Sequence, residues 1–148
     1  MCGSRAPLTI APYQPSHLRA IALQPHQQHL GAFLAAGDYA ETVIETGPCW
    51  SALVGDVPIG CGGFQEIWPG RSIAWAVLSD LAGAWMLPLT RAVRDGLEEH
   101  PAERIEAQVM DGFRSGLRWA TLLGFECEGL LRRYHEGRDY RAFVLLKN

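Results

Sequence analysis

The stretch Asp80-Leu81-Ala82-Gly83-Ala84-Trp85 closes strand-like text and opens helix-like text. Such a junction offers unpaired N–H groups and the positive end of a helix, a setting that attracts phosphate. Two carboxylates stand on strands nearby in sequence, Glu66 and Glu106, and either could take a proton as a general base. Ser115 and the strand tyrosines Tyr134 and Tyr140 supply hydroxyls. His26-Gln27-Gln28-His29 sets two imidazoles three residues apart, a spacing that can hold a metal. No nearby cysteine or carboxylate completes a ligand set, so a solvated or substrate-facing helix is expected and no metal. Gly60-Cys61-Gly62-Gly63 is glycine-rich but lies inside a strand, without the strand–loop–helix setting of a nucleotide fingerprint. A bulge, or close packing of a helix on the sheet, accounts for it. Cys61 as a nucleophile would need a base partner, and the sequence offers none.

The elements that must position these groups are short. The chain has 148 residues, 48% hydrophobic and 20% charged, with net charge −3. That composition fits one folded domain spanning 1–148 and excludes a disordered chain or a broad basic surface for nucleic acid. Cys2, Cys49, Cys61 and Cys127 form no C-x-x-C pair, and the last three read as small buried apolar residues in a reducing cytoplasm. No apolar run is long enough to span a membrane, and residues 1–7 lack the layout of a signal peptide.

Leu8 to Tyr13 reads as a strand, and Ser16 is placed to cap a short helix to about Leu23. Pro25 opens a second helical stretch with His26, His29, Leu30 and Phe33 at helical spacing. Cys49 to Val54 and Val57 to Ile67 are strands joined by the Gly55-Asp56 hairpin signal, and Trp68-Pro69-Gly70 turns into a central strand from Ser72 to Leu78. Leu89, Ala92, Val93, Gly96 and Leu97 define an amphipathic helix that Pro101 stops. Arg104 to Met110 alternates as a strand. Asp111 is placed to cap a further helix with Phe113, Gly116, Leu117 and Ala120 inward. Phe125 to Tyr134 and Tyr140 to Leu146 form a last hairpin about Glu136-Gly137-Arg138. Trp50, Trp75 and Trp119 read as core, Trp68 and Trp85 as exposed. Helical crossovers demand parallel strands and hairpins antiparallel ones, so the fold class is α/β with a mixed, twisted sheet of six to seven strands and helices on both faces.

This order resembles the GNAT (acyl-CoA N-acyltransferase) superfamily over about residues 8–146. The run from Gly112 to Gly129, ending Leu123-Gly124-Phe125-Glu126-Cys127-Glu128-Gly129, is similar to the family's last helix entering its "LGFE-x-EG" strand. Leu130 to Tyr134 with Gly137-Arg138-Asp139-Tyr140 resembles the final hairpin of ribosomal-protein-type members. The Trp68-Pro69-Gly70-Arg71 turn and the short length are similar to small phage-encoded acetyltransferase-like proteins.

The resemblance implies acetyl-CoA as cofactor. Its pantetheine would pair with the edge of the Ser72–Leu78 strand, at Val77 and Leu78. Its pyrophosphate would lie on Gly83, Ala84 and Trp85, helped by Arg91 or Arg118. The family loop reads Gln/Arg-x-x-Gly-x-Gly/Ala. Gly83 matches it, whereas Asp80 places an anion and Trp85 a large ring where the pattern has neither. Pro88 removes one N–H from the first helical turn. The family's strand carboxylate and its tyrosine in the last helix are missing, the latter replaced by Ala120. The expected catalytic candidates are therefore Glu66, Ser115 and Tyr134, and direct attack by an amine would need no dedicated base. The implied activity is transfer of acetyl to a small-molecule or protein amine in the cytoplasm, with His26, His29 and Phe33 bordering the acceptor. The alternative is a non-catalytic protein of the same fold, a phage virion component, with a homo-oligomer or virion proteins as partners.

Overall fold

The computed structural model describes residues 6–31 and 38–148, with His29 described by its backbone. Cys2 and Phe33 lie outside the described residues. The strands are β1 (Leu8–Pro12), β2 (Cys49–Val54), β3 (Val57–Trp68), β4 (Arg71–Leu78), β5 (Arg104–Met110), β6 (Glu126–His135) and β7 (Arg138–Leu146). The described helices are α1 (Pro15–Ala20), α2 (Tyr39–Thr42), α3 (Met86–Glu99) and α4 (Arg114–Leu122), with 3-10 segments at Pro25–Leu30, Val43–Thr46 and Ala82–Trp85. The seven strands hydrogen-bond in the order β1-β2-β3-β4-β5-β7-β6. β4 and β5 pair in parallel over Arg71–Ile73 and Arg104–Glu106, and β7 runs antiparallel between β5 and β6. This is the expected mixed α/β sheet. No described helix is long and apolar enough to cross a membrane.

The chain divides into two compact units, residues 1–63 with 76–92 and residues 64–75 with 93–148. In the first, β2 and β3 close a hairpin at Gly55, whose φ of +61° suits a residue without Cβ. Leu18, Ala40, Val43 and Ile59 are its most deeply buried apolar side chains, and the Tyr13 hydroxyl donates to the Ala40 carbonyl at 2.7 Å. The expected glycine crowding comes from neighbouring strands, not from a helix. A Cβ at Gly63 would lie 2.4 Å from the Pro48 carbonyl oxygen and 2.6 Å from the Cys49 Cβ. One at Gly60 would meet a Leu78 methyl at 2.9 Å. The β2–β3 register also slips between Ala52 and Leu53, the expected bulge.

In the second unit Phe64, Leu97, Ala102, Ile105, Ala120, Phe125 and Phe143 form the core. The Leu89–Leu97 stripe does become α3, and α4 turns Phe113 and Ala120 inward and ends before Gly124, whose φ is +100°. His100, just past α3, stacks on Phe64 with ring centroids 3.9 Å apart, and its Nε2 lies 2.9 Å from the buried Ser72 hydroxyl.

Several expectations are corrected. The helical stretch opened by Pro25 begins as a 3-10 helix over Pro25–Leu30. Neither Ser16 nor Asp111 caps a helix: Gln14 precedes α1, Phe113 precedes α4, and the Asp111 carboxylate instead accepts from Arg141 Nε at 2.9 Å. Trp50 is 40% exposed. Its neighbour Ser51 is drawn inward, with its hydroxyl 2.7 Å from His17 Nδ1 and 3.6 Å from Cys61 Sγ, and strand alternation turns Trp50 outward. Trp75 and Trp119 are half-buried rather than core, and Trp85 is half-buried rather than exposed, whereas Trp68 is 57% exposed as expected. Cys127 is exposed because it sits on β6, the outermost strand. Cys61 is buried, which pushes its thiol up to about 11, and it has no thiolate character to offer as a nucleophile.

Candidate cofactor edge on the fourth strand

β4 ends in two buried apolar residues, Val77 and Leu78, followed by the buried Ser79 and the exposed Asp80. The Ser79 N–H donates to the Ile59 carbonyl of β3 at 2.8 Å. Strand alternation therefore turns the backbone groups of Ala76, Leu78 and Asp80 to the opposite edge. That edge is met by residues 22–27. Gln24 N–H donates to the Leu78 carbonyl at 3.1 Å, Asp80 N–H to the Ala22 carbonyl at 2.9 Å, and Leu23 bridges Ser79. The next rung is a side chain: Leu78 N–H donates to Gln27 Oε1 at 3.0 Å, and Gln27 Nε2 donates to the Ala76 carbonyl at 2.9 Å. Gln24 Nε2 donates to the same Oε1 at 2.8 Å.

The loop after β4 is largely self-satisfied. Leu81 N–H donates to the Ser79 hydroxyl at 3.0 Å and Ala82 N–H to the Ser79 carbonyl at 3.1 Å. The Asp80 carboxylate accepts from the Ser79 hydroxyl at 3.3 Å. Gly83 and Ala84 are exposed in the 3-10 turn, and a Cβ on Gly83 would touch nothing within 4 Å. Trp85 is half-buried, its indole N–H donating to the Ala6 carbonyl at 3.2 Å. Arg91 is exposed on α3.

The other expected site residues lie on separate elements of the second unit. Glu66 is exposed on β3, Ser115 and Arg118 are exposed on α4, and Tyr134 is 52% exposed on β6, its ring tilted against Tyr140 at 5.4 Å. No hydrogen bond joins Glu66, Ser115 and Tyr134 among the described residues. Glu106 is held otherwise: Arg71 grips it with two nitrogens, and Arg104 Nε bonds it at 3.0 Å. The Arg71 contact, reinforced by Arg104, holds its carboxyl below the usual range, so it is an ion-pair partner and not a poised base. Arg104 also reaches Glu128, and Arg71 lies over the Trp68 ring at 4.7 Å. Trp68, Arg71, Glu103, Arg104 and Glu106 line an open pocket of about 480 Å³ at the N-terminal ends of β4 and β5. Arg71, Arg104 and Glu106 are already paired to one another, and ligands of open α/β sheets favour the carboxyl ends of strands, so that pocket is not the candidate site.

Comparison with solved structures shows which fold this is. The ribosomal-protein-S5-alanine acetyltransferase of Vibrio fischeri superposes with TM-score 0.73 at 14% identity, covering 95% of this chain and 93% of that one. A GNAT-family acetyltransferase from Bacillus anthracis gives 0.67 at 12% identity over 97% and 96%.

This chain has the GNAT fold.

YncA of Salmonella typhimurium, solved with its cofactor acetyl-CoA, superposes with TM-score 0.67 at 11% identity over 95% and 94%. No protein-family model and no curated protein matches the sequence. In a GNAT fold the β4 edge is where the pantetheine was expected, at Val77 and Leu78. Leu78 presents its N–H and C=O to the edge turned away from β3, as does the Ala76 carbonyl. The residue missed by sequence is Gln27. A glutamine between two histidines carries no signal of a bond to a strand 49 residues away. His26 is exposed, and no group of three metal-ligating side chains occurs among the described residues.

Proposed function

We propose that this protein is an acetyl-CoA-dependent N-acetyltransferase acting on a small-molecule or protein amine. The observation that carries the reading is the β4 edge itself. A GNAT fold sets Ala76 C=O and Leu78 N–H at the end of its central strand, and these two atoms already hold one amide, the carboxamide of Gln27. An edge built to pair with an amide fits the amide-bearing arm of CoA. The loop fits a pyrophosphate less well, because Asp80 brings a negative charge and the Leu81 and Ala82 N–H groups are bound to Ser79. Gly83 leaves open space for close approach, and Arg91 and Arg118 are the cations assigned to the phosphates.

Acetyl-CoA supplies an activated thioester as acyl donor. The chain's own contribution is to hold the arm on Ala76 and Leu78. Glu66, Ser115 and Tyr134 are the candidate proton carriers, and a free amine can also attack unaided, handing its proton to water.

The test is calorimetric titration with CoA, followed by an acetylation assay over a panel of amines. Saturable binding near one CoA per chain, with product formed on at least one amine, is the expected result. Absence of heat and of any thermal shift at millimolar CoA overturns the reading and leaves the non-catalytic role, for which gene neighbours encoding capsid or tail proteins would speak. Glu66→Gln, Ser115→Ala and Tyr134→Phe then sort the proton carriers. A true carrier lowers kcat by roughly 10²-fold or more while CoA affinity holds.

A further inference from the structure

The edge of β4 turned away from β3 is completed in two different ways. Over Leu78 to Asp80 the partner is backbone, Ala22 and Gln24, as in an ordinary ladder. Over Ala76 to Leu78 the partner is one side chain, and it makes both bonds of a peptide group. The orientation of that amide is fixed by its partners, since Leu78 N–H can only donate and Ala76 C=O can only accept. Gln24 Nε2 donates to the same oxygen and steadies it. Without Gln27, the N–H of the buried Leu78 would lose its bond, an outcome folded chains avoid.

A side chain and a backbone differ in how easily they leave. Moving Ala22–Gln24 would require the chain to shift. Moving Gln27 requires only rotation about side-chain torsions, and the gain from two ordinary hydrogen bonds is partly offset by the rotamer freedom a glutamine loses in making them. We propose that Gln27 is a displaceable place-holder. Its carboxamide keeps Ala76 and Leu78 paired while the edge is empty, and an amide-bearing ligand arm takes both positions only when Gln27 swings away. The identity of that arm as the pantetheine of CoA rests on the function proposed above. Ligand affinity is then reduced by the fraction of molecules in which Gln27 still sits on the edge.

Gln27→Ala removes the competitor, and Gln27→Asn, one methylene shorter, cannot span both atoms. Both are expected to tighten CoA binding about three- to tenfold in calorimetry, the scale of one or two ordinary hydrogen bonds. A folded variant with unchanged or weaker CoA binding overturns the place-holder while leaving the function intact. If neither wild type nor variant binds CoA, the cofactor reading fails, and amide hydrogen exchange in the ligand-free protein decides the place-holder on its own. Leu78 N–H, held by a swinging side chain, should exchange about tenfold or more faster than Ser79 N–H, held by the β3 backbone at 2.8 Å. Equal protection of the two would overturn the proposal.

Discussion

Gly63 and Gly83 both lie in text rich in small residues, glycines around the first and alanines around the second, yet the structure makes opposite demands on them. At Gly63 an added Cβ would lie 2.4 Å from a backbone oxygen, an atom that cannot yield without moving β2. Gly63→Ala is therefore expected to lower the urea-unfolding free energy by about 1–3 kcal/mol, the usual cost of overpacking. At Gly83 the same methyl meets nothing within 4 Å and φ is not in the left-handed region, so Gly83→Ala should stay within about 0.5 kcal/mol of wild type. If the backbone there must approach a phosphate, that methyl should still weaken CoA binding. A stable Gly83→Ala protein with undiminished CoA affinity would remove Gly83 from the site. Stability and binding thus separate a glycine kept for packing from one kept for a ligand.

At the scale of elements, sequence legibility follows how local each signal is. The α3 stripe, the Gly55 and Gly137 hairpins and the Pro69-Gly70 turn are set by near neighbours, and all were readable. Pro25 marked the start of a helical stretch, but its 3-10 form and the bonds of Gln27 to β4 were not readable, because they depend on a strand far along the chain. Trp50 was misread for the same reason: His17 and Cys61 pull its neighbour Ser51 inward, and composition alone assigns the interior to tryptophan. The candidate cofactor edge was proposable from sequence where it follows one strand into one helix, from Val77 to Trp85, whereas the bonds of Gln27 to that edge had no local signal. The anchoring of the α3 end also has a measurable consequence. Burial, aided by Lys147 and opposed by Glu66, lowers the His100 pKa below its ordinary 6.5. The folded state then binds the proton less readily than the unfolded chain, so stability is full above about 6.5 and falls as pH drops from there through the folded value. The urea midpoint should decline between pH 7 and 5.5 in wild type and decline less in His100→Gln, which can still bond Ser72. A slope unchanged by the substitution would assign the acid sensitivity elsewhere.

For the whole molecule, net charge −3 meets a ligand that is itself a polyanion, so the sum of charges opposes the proposed binding. The sum is not what decides it. At physiological ionic strength exposed charges are screened beyond about 8 Å, and only those beside the phosphates count. Of the chain's acidic residues, Asp80 is the one at the start of the proposed phosphate loop, exposed and held toward Ser79. Removing its charge should therefore do more than the same change in total charge made at another surface position. Asp80→Asn is expected to tighten CoA binding about two- to fivefold in 50 mM salt, the scale of one exposed charge pair, with the gain shrinking at 500 mM. Glu136→Gln, in the exposed β6–β7 turn, alters net charge equally and should leave affinity unchanged. Equal gains from both substitutions would mean that the global field governs binding. No gain from either would mean that the phosphates do not lie on the Asp80 loop, and would move the search for them to Arg91 and Arg118.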